Sequence, residues 1–526
     1  MDDIRNILFI MADQLRWDYL SCYGHPTLAT PHIDSLAAKG VRFDRAYVQS
    51  PVCGPSRASY YTGRTVFSHG ATWNNVPLPV GERTIGDYLR HSGIRTAVVG
   101  KTHMNTDQDG MARFGLTRDT EIGLLVAEPG FDPYERDDGL HPTKLLDLKG
   151  GGLNYNDWLR DRGYDGHNPW NDYANSAEGS DGEVLSAWDL RNSALPARIS
   201  EEHSETAYMT GRAMDFIRET GDSPWCCHLS YIKPHWPYIA PAPYHAMYSA
   251  RDFIPPRRSD QERENPHPVY QAFMNHDASR SFSKDEVRNT VLVGYMGLIK
   301  QIDDHLGRLF AFLEDCGRMN DTMIVFASDH GDYMGDHWLG EKELFHEQSA
   351  RVPLLIYDPR PEADSTRGTT EPRMVEAIDL LPTFLDATGS TTSRHCLEGR
   401  SLMPALHGGR QDWRDDVFSE IDYAFYEARR WLNLGPSGAR GYMIRTDEWK
   451  YVYFKGFRPQ LFDLIDDPDE FIDLGESRGH VAIRAQMKDR LFDRLIERRN
   501  RVAMTDEKVL DTRDFETRSG IQIGKW

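Results

Sequence analysis

The sequence predicts an α/β protein: a large, mostly parallel central sheet flanked by helices, with a smaller C-terminal α+β subdomain. Three observations predict it. Five short runs are apolar throughout, the pattern of strands buried on both faces of a parallel sheet. Segments with helical periodicity lie between them. A late stretch, 441–454, alternates in the manner of antiparallel strands. At 526 residues the chain is too long for one ordinary core. We expect a large domain over 1–400, an antiparallel sheet with a helix over 401–505, and a tail over 506–526 that touches a neighbouring subunit.

Taken in order, the first strand is Asn6 to Ala12, NILFIMA, ending at Asp13. Pro31 to Lys39 is a helix stopped at Gly40. Gly54 and Pro55 place Cys53 just before a short helix through Arg57 to Tyr61, closed by Gly63. Thr65 to Pro79 is a loop containing Asn74 and Asn75. Thr84 to His91 is a helix, and Arg95 to Gly100, RTAVVG, is the second strand. Thr106 to Leu195 reads as long irregular insertions that wall a pocket. Glu201 to Thr220 is an amphipathic helix and Trp225 to Ile232 the third strand, with Cys226 and Cys227 as core residues. Ser283 to Cys316 is a long helix whose apolar residues step by three or four; we read it as scaffold. Thr322 to Ser328 and Arg351 to Tyr357 are the fourth and fifth strands, and Ile378 to Thr388 is a helix. A linker, Thr391 to Arg414, leads to the C-terminal part, with a turn at Asp447-Glu448 and a helix from His480 to Ala503. The last twenty-odd residues show no helical face.

The bulk numbers exclude several functions. Net charge is −20, which argues against nonspecific nucleic-acid binding and against an anionic membrane surface. An anionic substrate would need a positive field local to its site. The six cysteines are scattered without paired metal spacing, so we expect a reducing, cytoplasmic setting and no disulfide framework. The first residues lack a basic start and a small-residue cleavage site, and no apolar run approaches the roughly 18 residues of a membrane helix.

Chemistry-bearing residues gather at predicted strand ends, where ligands bind in open α/β sheets. Asp13 is placed there to hold a metal, although Asp also caps helices. Lys101 and His103 follow the second strand, and Lys233 to His235 the third. Asp329 and His330 offer an oxygen and a nitrogen ligand after the fourth. Cys53, at a helix N-terminus with Arg57 one turn on, would sit in an anion-favouring pocket, though a Cys with an Arg four residues on is in itself common. Asp332, Asp336 and His337 read as polar loop.

The string PVCGPSRASYYTGR, 51–64, resembles the sulfatase signature, Cys-x-Pro-Ser-Arg followed by Thr-Gly-Arg. Gly100 to His103 is similar to the family's Gly-Lys-x-His, PHWPYIAP to its His-x-Pro loop, SDHGDYMGDH to its second metal-binding segment, and LFDLIDDPDEFIDL, 461–474, to its C-terminal strand and turn. The resemblance implies an alkaline phosphatase-like fold and a Cys53 oxidised by a formylglycine-generating enzyme to an aldehyde, whose hydrate attacks an anionic ester. It implies one divalent ion, calcium, manganese or magnesium, on Asp13, Gln14, Asp329, His330 and residue 53. Gln14 falls where many arylsulfatases carry a second Asp; it removes one carboxylate from the expected cage and resembles the choline-sulfatase and phosphonate-monoester-hydrolase branches. Arg57, Lys101 and Lys342 would surround the anion. Asn74 would bind the diol or substrate oxygen, and His235 a substrate oxygen. Lys342 or His235 would protonate the departing alcohol, and His103 would take the proton that regenerates the aldehyde.

The expected activity is hydrolysis of sulfate monoesters. The alternative on the same site is a phosphonate monoester or phosphodiester hydrolase, which Gln14 favours while Lys101 and His103 favour sulfate. A hydrolase using the Cys53 thiolate itself and an inactive anion- or metal-binding homologue are the remaining readings. By resemblance to oligomeric phosphonate monoester hydrolases we expect a homo-oligomer.

Overall fold

The structure, a computed structural model, describes residues 4–139, 153–409, 412–512 and 518–520. Among them, eight strands form the main sheet: β1 (Asn6–Asp13), β2 (Val41–Tyr47), β3 (Arg95–Gly100), β4 (Asp132–Arg136), β5 (Trp225–Pro234), β6 (Thr322–Ser328), β7 (Arg351–Tyr357) and β8 (Thr369–Glu376). Their order is β8-β2-β7-β6-β1-β5-β3-β4. Only β7 runs against its neighbours; every other pairing is parallel. The mostly parallel sheet expected from the apolar runs is what forms.

β1 shows why the sheet is buried on both sides. Leu8, Ile10 and Ala12 point into one core and Ile7, Phe9 and Met11 into the other. The first core is covered by α1 (Pro31–Lys39), α3 (Glu205–Thr220) and α4 (Asp285–Asp315). The second is covered by α2 (Cys53–Thr62) and α5 (Leu380–Ala387). A two-faced apolar strand cannot sit at a wet edge, so β1 takes a central position.

Register then sets the functional end. Ala12 pairs with Ser328, and Gly100 with Ser230. A bulge after Ala12 shifts Asp13 opposite Pro234. Four adjacent parallel strands, β6-β1-β5-β3, therefore finish side by side and release Asp329, Asp13, His235 and Lys101 at one carboxyl edge.

The second sheet is antiparallel, in the order β9 (Val417–Asp422), β10 (Arg440–Arg445), β11 (Trp449–Phe454) and β12 (Gln460–Asp463). α6 (Val481–Ile496) packs on it through Met487 and Leu491. Among the described residues no helix is long and apolar enough to cross a membrane, and the six cysteines are unpaired thiols.

The structure corrects several expectations. β2, β8 and β9 come from segments where charged residues interrupt the apolar pattern, such as VRFDRAY and TTEPRMVE. Residues 106–195 are not wholly irregular: they hold β4 at the sheet edge and helices Gln108–Arg113, Glu121–Ala127 and Asn154–Arg160; residues 140–152 of that stretch lie outside the described residues. β5 runs on through Lys233 and Pro234. The tail carries a short helix, Asp506–Asp511, capped by Thr505; residues 513–517 and 521–526 lie outside the described residues.

Buried ion pairs tie the two sheets together. Glu376 at the end of β8 accepts both oxygens' worth of hydrogen bonds from Arg494 of α6, at 2.7 and 2.8 Å, and one from the Phe418 amide of β9 at 2.9 Å. Arg414 lies 3.3 Å from the same carboxylate and also grips Asp379. Removing Glu376 would take the bidentate partner from Arg494 and one of two carboxylates from Arg414. Glu376→Ala is expected to destabilise the protein by about 3–5 kcal/mol, measured as a lowered midpoint in denaturant unfolding against the wild type.

Candidate active site

Helix α2 begins at Cys53 itself, one residue earlier than its loop-like composition suggests. Val52 is extended, and Gly63 ends the helix in the left-handed region at φ 64°. The first turn exposes its amides. The Gly54 N–H donates to Asn74 Oδ1 at 2.7 Å. A Cβ on residue 54 would stand 3.0 Å from both the Asn74 Cα and its Oδ1, so a side chain here would push the Asn74 loop back by a few tenths of an ångström. Asn74, expected to reach a substrate oxygen, thus also anchors its loop to the nucleophile's helix.

Cys53 faces two carboxylates and a histidine. Its Sγ lies 3.0 Å from His330 Nε2 and 3.8 Å from Asp13 Oδ1. His330 Nε2 is 3.7 Å from Asp13 Oδ1 and 3.7 Å from Asp329 Oδ1. One donor atom from each of Asp13, Cys53, Asp329 and His330 falls within 4.8 Å of the others, and all four side chains are buried. Here the thiol sulfur stands where the oxygens of an oxidised, hydrated residue 53 would stand.

The remaining carboxylate oxygens are held by cations. Arg57 Nε donates to Asp329 Oδ2 at 2.8 Å, and its Nη2 lies 3.3 Å from Asp13 Oδ2. Lys101 Nζ donates to the same Asp13 oxygen. Arg57 Nη1 is aimed by the Lys101 carbonyl at 2.8 Å and Ser230 Oγ at 2.7 Å. Burial pushes the Asp13 carboxyl upward, but Lys101, His235 and Arg57 outweigh it and hold Asp13 well below the usual carboxylate range. Each acid thus spends one oxygen on a cation and turns the other toward Cys53 and His330.

His330 Nδ1 donates to the Gly331 carbonyl at 2.9 Å. That bond leaves Nε2 with its lone pair facing the cluster, the tautomer a metal ligand needs. Burial, reinforced by Lys342 and opposed by Asp329, lowers the His330 pKa and keeps the ring neutral. Two carboxylate oxygens, a neutral imidazole and the residue 53 side chain fit a hard divalent cation.

Lys342 and His235 adjoin this cluster. His235 Nδ1 donates to the Trp236 carbonyl at 2.8 Å, so its Nε2 accepts from Lys342 Nζ at 3.2 Å. Burial and Lys101 push the His235 pKa well below normal. Burial would also lower Lys342, but Cys53, Glu341 and Asp13 outweigh it and raise its pKa. Lys342 also donates to Gln14 Oε1 at 2.8 Å. Gln14 sits at φ 63°. Its Nε2 donates to Tyr238 Oη at 2.9 Å and to Asp332, while its main-chain N–H reaches Asp329 Oδ1 at 3.0 Å. The Gln14 amide, expected in the metal cage, is therefore engaged with Lys342, Tyr238 and Asp332.

His103 sits in the left-handed region at φ 55°, and the Asp138 carboxylate holds its loop through the Thr102 and His103 amides at 2.9 and 3.0 Å. Burial and Lys101 lower the His103 pKa, with Cys53 and Asp138 pulling the other way. Glu341 and Glu343 flank Lys342, at φ 61° and 95°. Glu343 is raised to about 8 by burial and by Glu341, and it accepts from Tyr426 Oη at 2.5 Å.

Sequence reasoning missed four of these residues. Asp332, read as loop, is buried, raised to about 6 by that burial, and holds the Gln14 amide. Its position three residues after Asp329 in SDHGDYMGDH was the available signal. Ser230 lies inside an apolar strand, and Asp138 and Tyr426 come from stretches without periodicity. Asp336 and His337 are buried too, but they brace Arg16 and Glu262, away from the cluster.

The Sulfatase family model matches residues 5–390, and a second, N-sulphoglucosamine sulphohydrolase, C-terminal, matches residues 335–497. The chain is 33% identical over 506 residues to the multifunctional alkaline phosphatase superfamily protein PehA of Trinickia caryophylli, covering 91% of this chain and 93% of that protein. It is 27% identical to the arylsulfatase of Clostridium perfringens (strain 13 / Type A), covering 90% and 91%. The phosphonate monoester hydrolase structure from Silicibacter pomeroyi superposes with a TM-score of 0.81 at 28% identity, covering 96% of this chain and 98% of that one. With the signature segment, the metal-compatible cluster and the whole sheet in agreement, the chain belongs to the sulfatase family, as a hydrolase of the alkaline phosphatase superfamily.

Proposed function

We propose that the protein hydrolyses sulfate monoesters, using an aldehyde formed from Cys53 and one divalent metal ion. The observation that carries this reading is the division of Asp13 and Asp329 between buried cations on one side and the Cys53–His330 cluster on the other. Asp13, Asp329, His330 and residue 53 would hold the ion. When bound, it supplies Lewis acidity that lowers the pKa of a hydroxyl on residue 53 and offsets charge on the ester oxygens.

The protein's own residues do the rest. The hydrated aldehyde offers two hydroxyls on one carbon. One attacks sulfur; the sulfur–oxygen bond to the alcohol breaks, and that oxygen takes a proton. Lys342 is the group poised to give it, since it stays charged while His235 stays neutral and aims the ammonium by accepting from it. Lys101 and Lys342 offset charge on the nonbridging oxygens, and Gln14 positions Lys342. Neutral His103 then removes the proton of the second hydroxyl, the carbon–oxygen bond to sulfate breaks, and the aldehyde returns.

A second reading has its own support. Sulfate monoesters and phosphonate monoesters are both tetrahedral monoanions, so one ring of cations serves either. The neutral Gln14 amide in place of a carboxylate, and the similarity to the Silicibacter pomeroyi structure, favour phosphonate monoesters or phosphodiesters as additional substrates. The tail, through contact with a neighbouring copy, would make the protein a homo-oligomer.

Four outcomes are expected. Protein made with a formylglycine-generating enzyme should show an aldehyde in place of the thiol in the Cys53 peptide by mass spectrometry. It should cleave aryl sulfate faster than phenyl phosphonate in parallel assays, and Cys53→Ala should cleave neither; the reverse order would make the phosphonate reading primary, and activity with an intact thiol would sink the aldehyde. His103→Ala should lower turnover about 10²–10⁴-fold and leave sulfate covalently on residue 53, visible as an adduct. The lowered His103 pKa keeps the neutral base available as pH falls through 6.5, the ordinary histidine value; the acid limb of kcat should therefore lie below pH 6.5 in a pH–rate profile, and a limb above it would contradict the assignment.

A further inference from the structure

His330, His235 and His103 are aimed in different ways. His330 and His235 each spend Nδ1 on a neighbouring backbone carbonyl, at 2.9 and 2.8 Å, which fixes the ring and leaves Nε2 for the chemistry. His103 has no such bond. Its Nδ1 is buried and, among the described residues, meets no hydrogen-bond partner, while the ring reaches Cys53. A base must be held at a set distance from the proton it removes. For His103 that constraint has to come from the main chain.

The main chain is gripped there at four consecutive residues. β3 and β4 end in register, with Gly100 opposite Arg136. The Asp137 amide donates to the Gly100 carbonyl at 3.1 Å, so segments 101–104 and 136–138 leave the sheet side by side. Arg57 Nη1 donates to the Lys101 carbonyl at 2.8 Å. Asp138 Oδ1 accepts from the Thr102 and His103 amides at 2.9 and 3.0 Å. Arg136 Nη2 donates to the Met104 carbonyl at 3.0 Å and also to Asp138 Oδ2, and its Nε donates to Asp138 Oδ1 at 3.2 Å. The remaining Nη1 goes to Glu128. Two successive amides facing one carboxylate oxygen form an anion-binding hollow in the backbone. His103 stands at φ 55° in that hollow, a conformation that the surroundings must impose on a residue with a side chain. Asp138 fills the hollow and Arg136 locks Asp138.

We infer that Asp138, backed by Arg136, is a positioning residue for His103 and governs the second half of the reaction, the release of the anion from residue 53. The inference rests on the ester-hydrolase reading above. In that step His103 takes the proton of the hydroxyl left on the residue 53 carbon. The electron pair of that O–H bond closes the carbon–oxygen double bond, the other carbon–oxygen bond breaks, and sulfate leaves with its electrons. The first half, attack and departure of the alcohol, uses Lys342, which is aimed by Gln14 and His235. None of those bonds involves Asp138, so its loss should fall on the second half alone.

The test uses the aldehyde-bearing enzyme and 4-nitrophenyl sulfate. Asp138→Ala should lower kcat about 10²-fold, keep a burst of 4-nitrophenolate equal to the enzyme present, and build up sulfate on the residue 53 peptide, read by mass spectrometry. Asp138→Glu keeps the charge and the Arg136 pair but sets the carboxylate one methylene further out. It should accumulate the same adduct, and it carries the test if the alanine variant does not fold. Asp138→Asn keeps an acceptor oxygen in the hollow and should stay within about tenfold of the wild type; if it is as slow as Asp138→Ala, the effect belongs to charge and the inference is overturned. In a double-mutant cycle Asp138→Ala should add nothing to His103→Ala. A further slowing there, or loss of the burst along with turnover, is the mark of a merely structural role and overturns the inference. Adduct in His103→Ala but none in Asp138→Glu also overturns it and leaves the hydrolase reading intact. No adduct in His103→Ala itself removes that residue as the base, and the inference with it.

Discussion

Arg57 lies fully buried between Asp13 and Asp329, and the chemistry at this edge of the sheet depends on that bridge. Two buried carboxylates so close together would not both ionise unaided, because like charges and desolvation each favour the protonated form. Arg57 and Lys101 reverse the balance. Their own charges are affordable only because the two acids partner them. The bridge also has a direction. It consumes Oδ2 of each acid and leaves both Oδ1 atoms turned toward His330 and residue 53. A symmetric pair of acids thereby becomes half of an electrostatic clamp and half of a ligand set.

Strand geometry makes the bridge possible. The bulge after Ala12 displaces Asp13 relative to β5, while unbroken pairing with β6 keeps it next to Asp329. Arg57 reaches both from one turn into α2, so the helix that carries residue 53 is tied to the cluster by its own side chain. The amide of Gly54 is tied from the other side by Asn74. Residue 53 is thus held from the helix flank and from the loop, the preorganisation that a nucleophile at a fixed distance requires.

The C-terminal sheet takes part in shaping the site. Tyr426 bonds Glu343 beside Lys342. Trp73, next to Asn74, packs against Tyr426 with ring centres 4.5 Å apart, and Thr72 bonds Asp422 at 2.8 Å. Both loops that border residue 53 therefore lean on β9 and the turn after it. The protein is strongly acidic overall, yet positive charge gathers where an anion would sit and gives way to Glu341 one residue before Lys342. Net charge describes the solvated surface; the site is governed by groups within a few ångströms, where screening is weak.

The central strands and the residues at their ends were legible in the amino-acid order. NILFIMA and TMIVFAS are apolar on both faces, and that alone places them mid-sheet with Asp13 and Asp329 at the open edge. Cys53 and Arg57 were legible because a helix start and a one-turn spacing are local facts. Charged strands such as β2 and β8 were not, since their periodicity makes sense only beside the neighbours they pair with. Nor were the partners of Gln14: its amide oxygen meets Lys342, 328 residues away. Periodicity is written into neighbouring residues, whereas the partner of a buried polar atom is chosen by where distant segments come together.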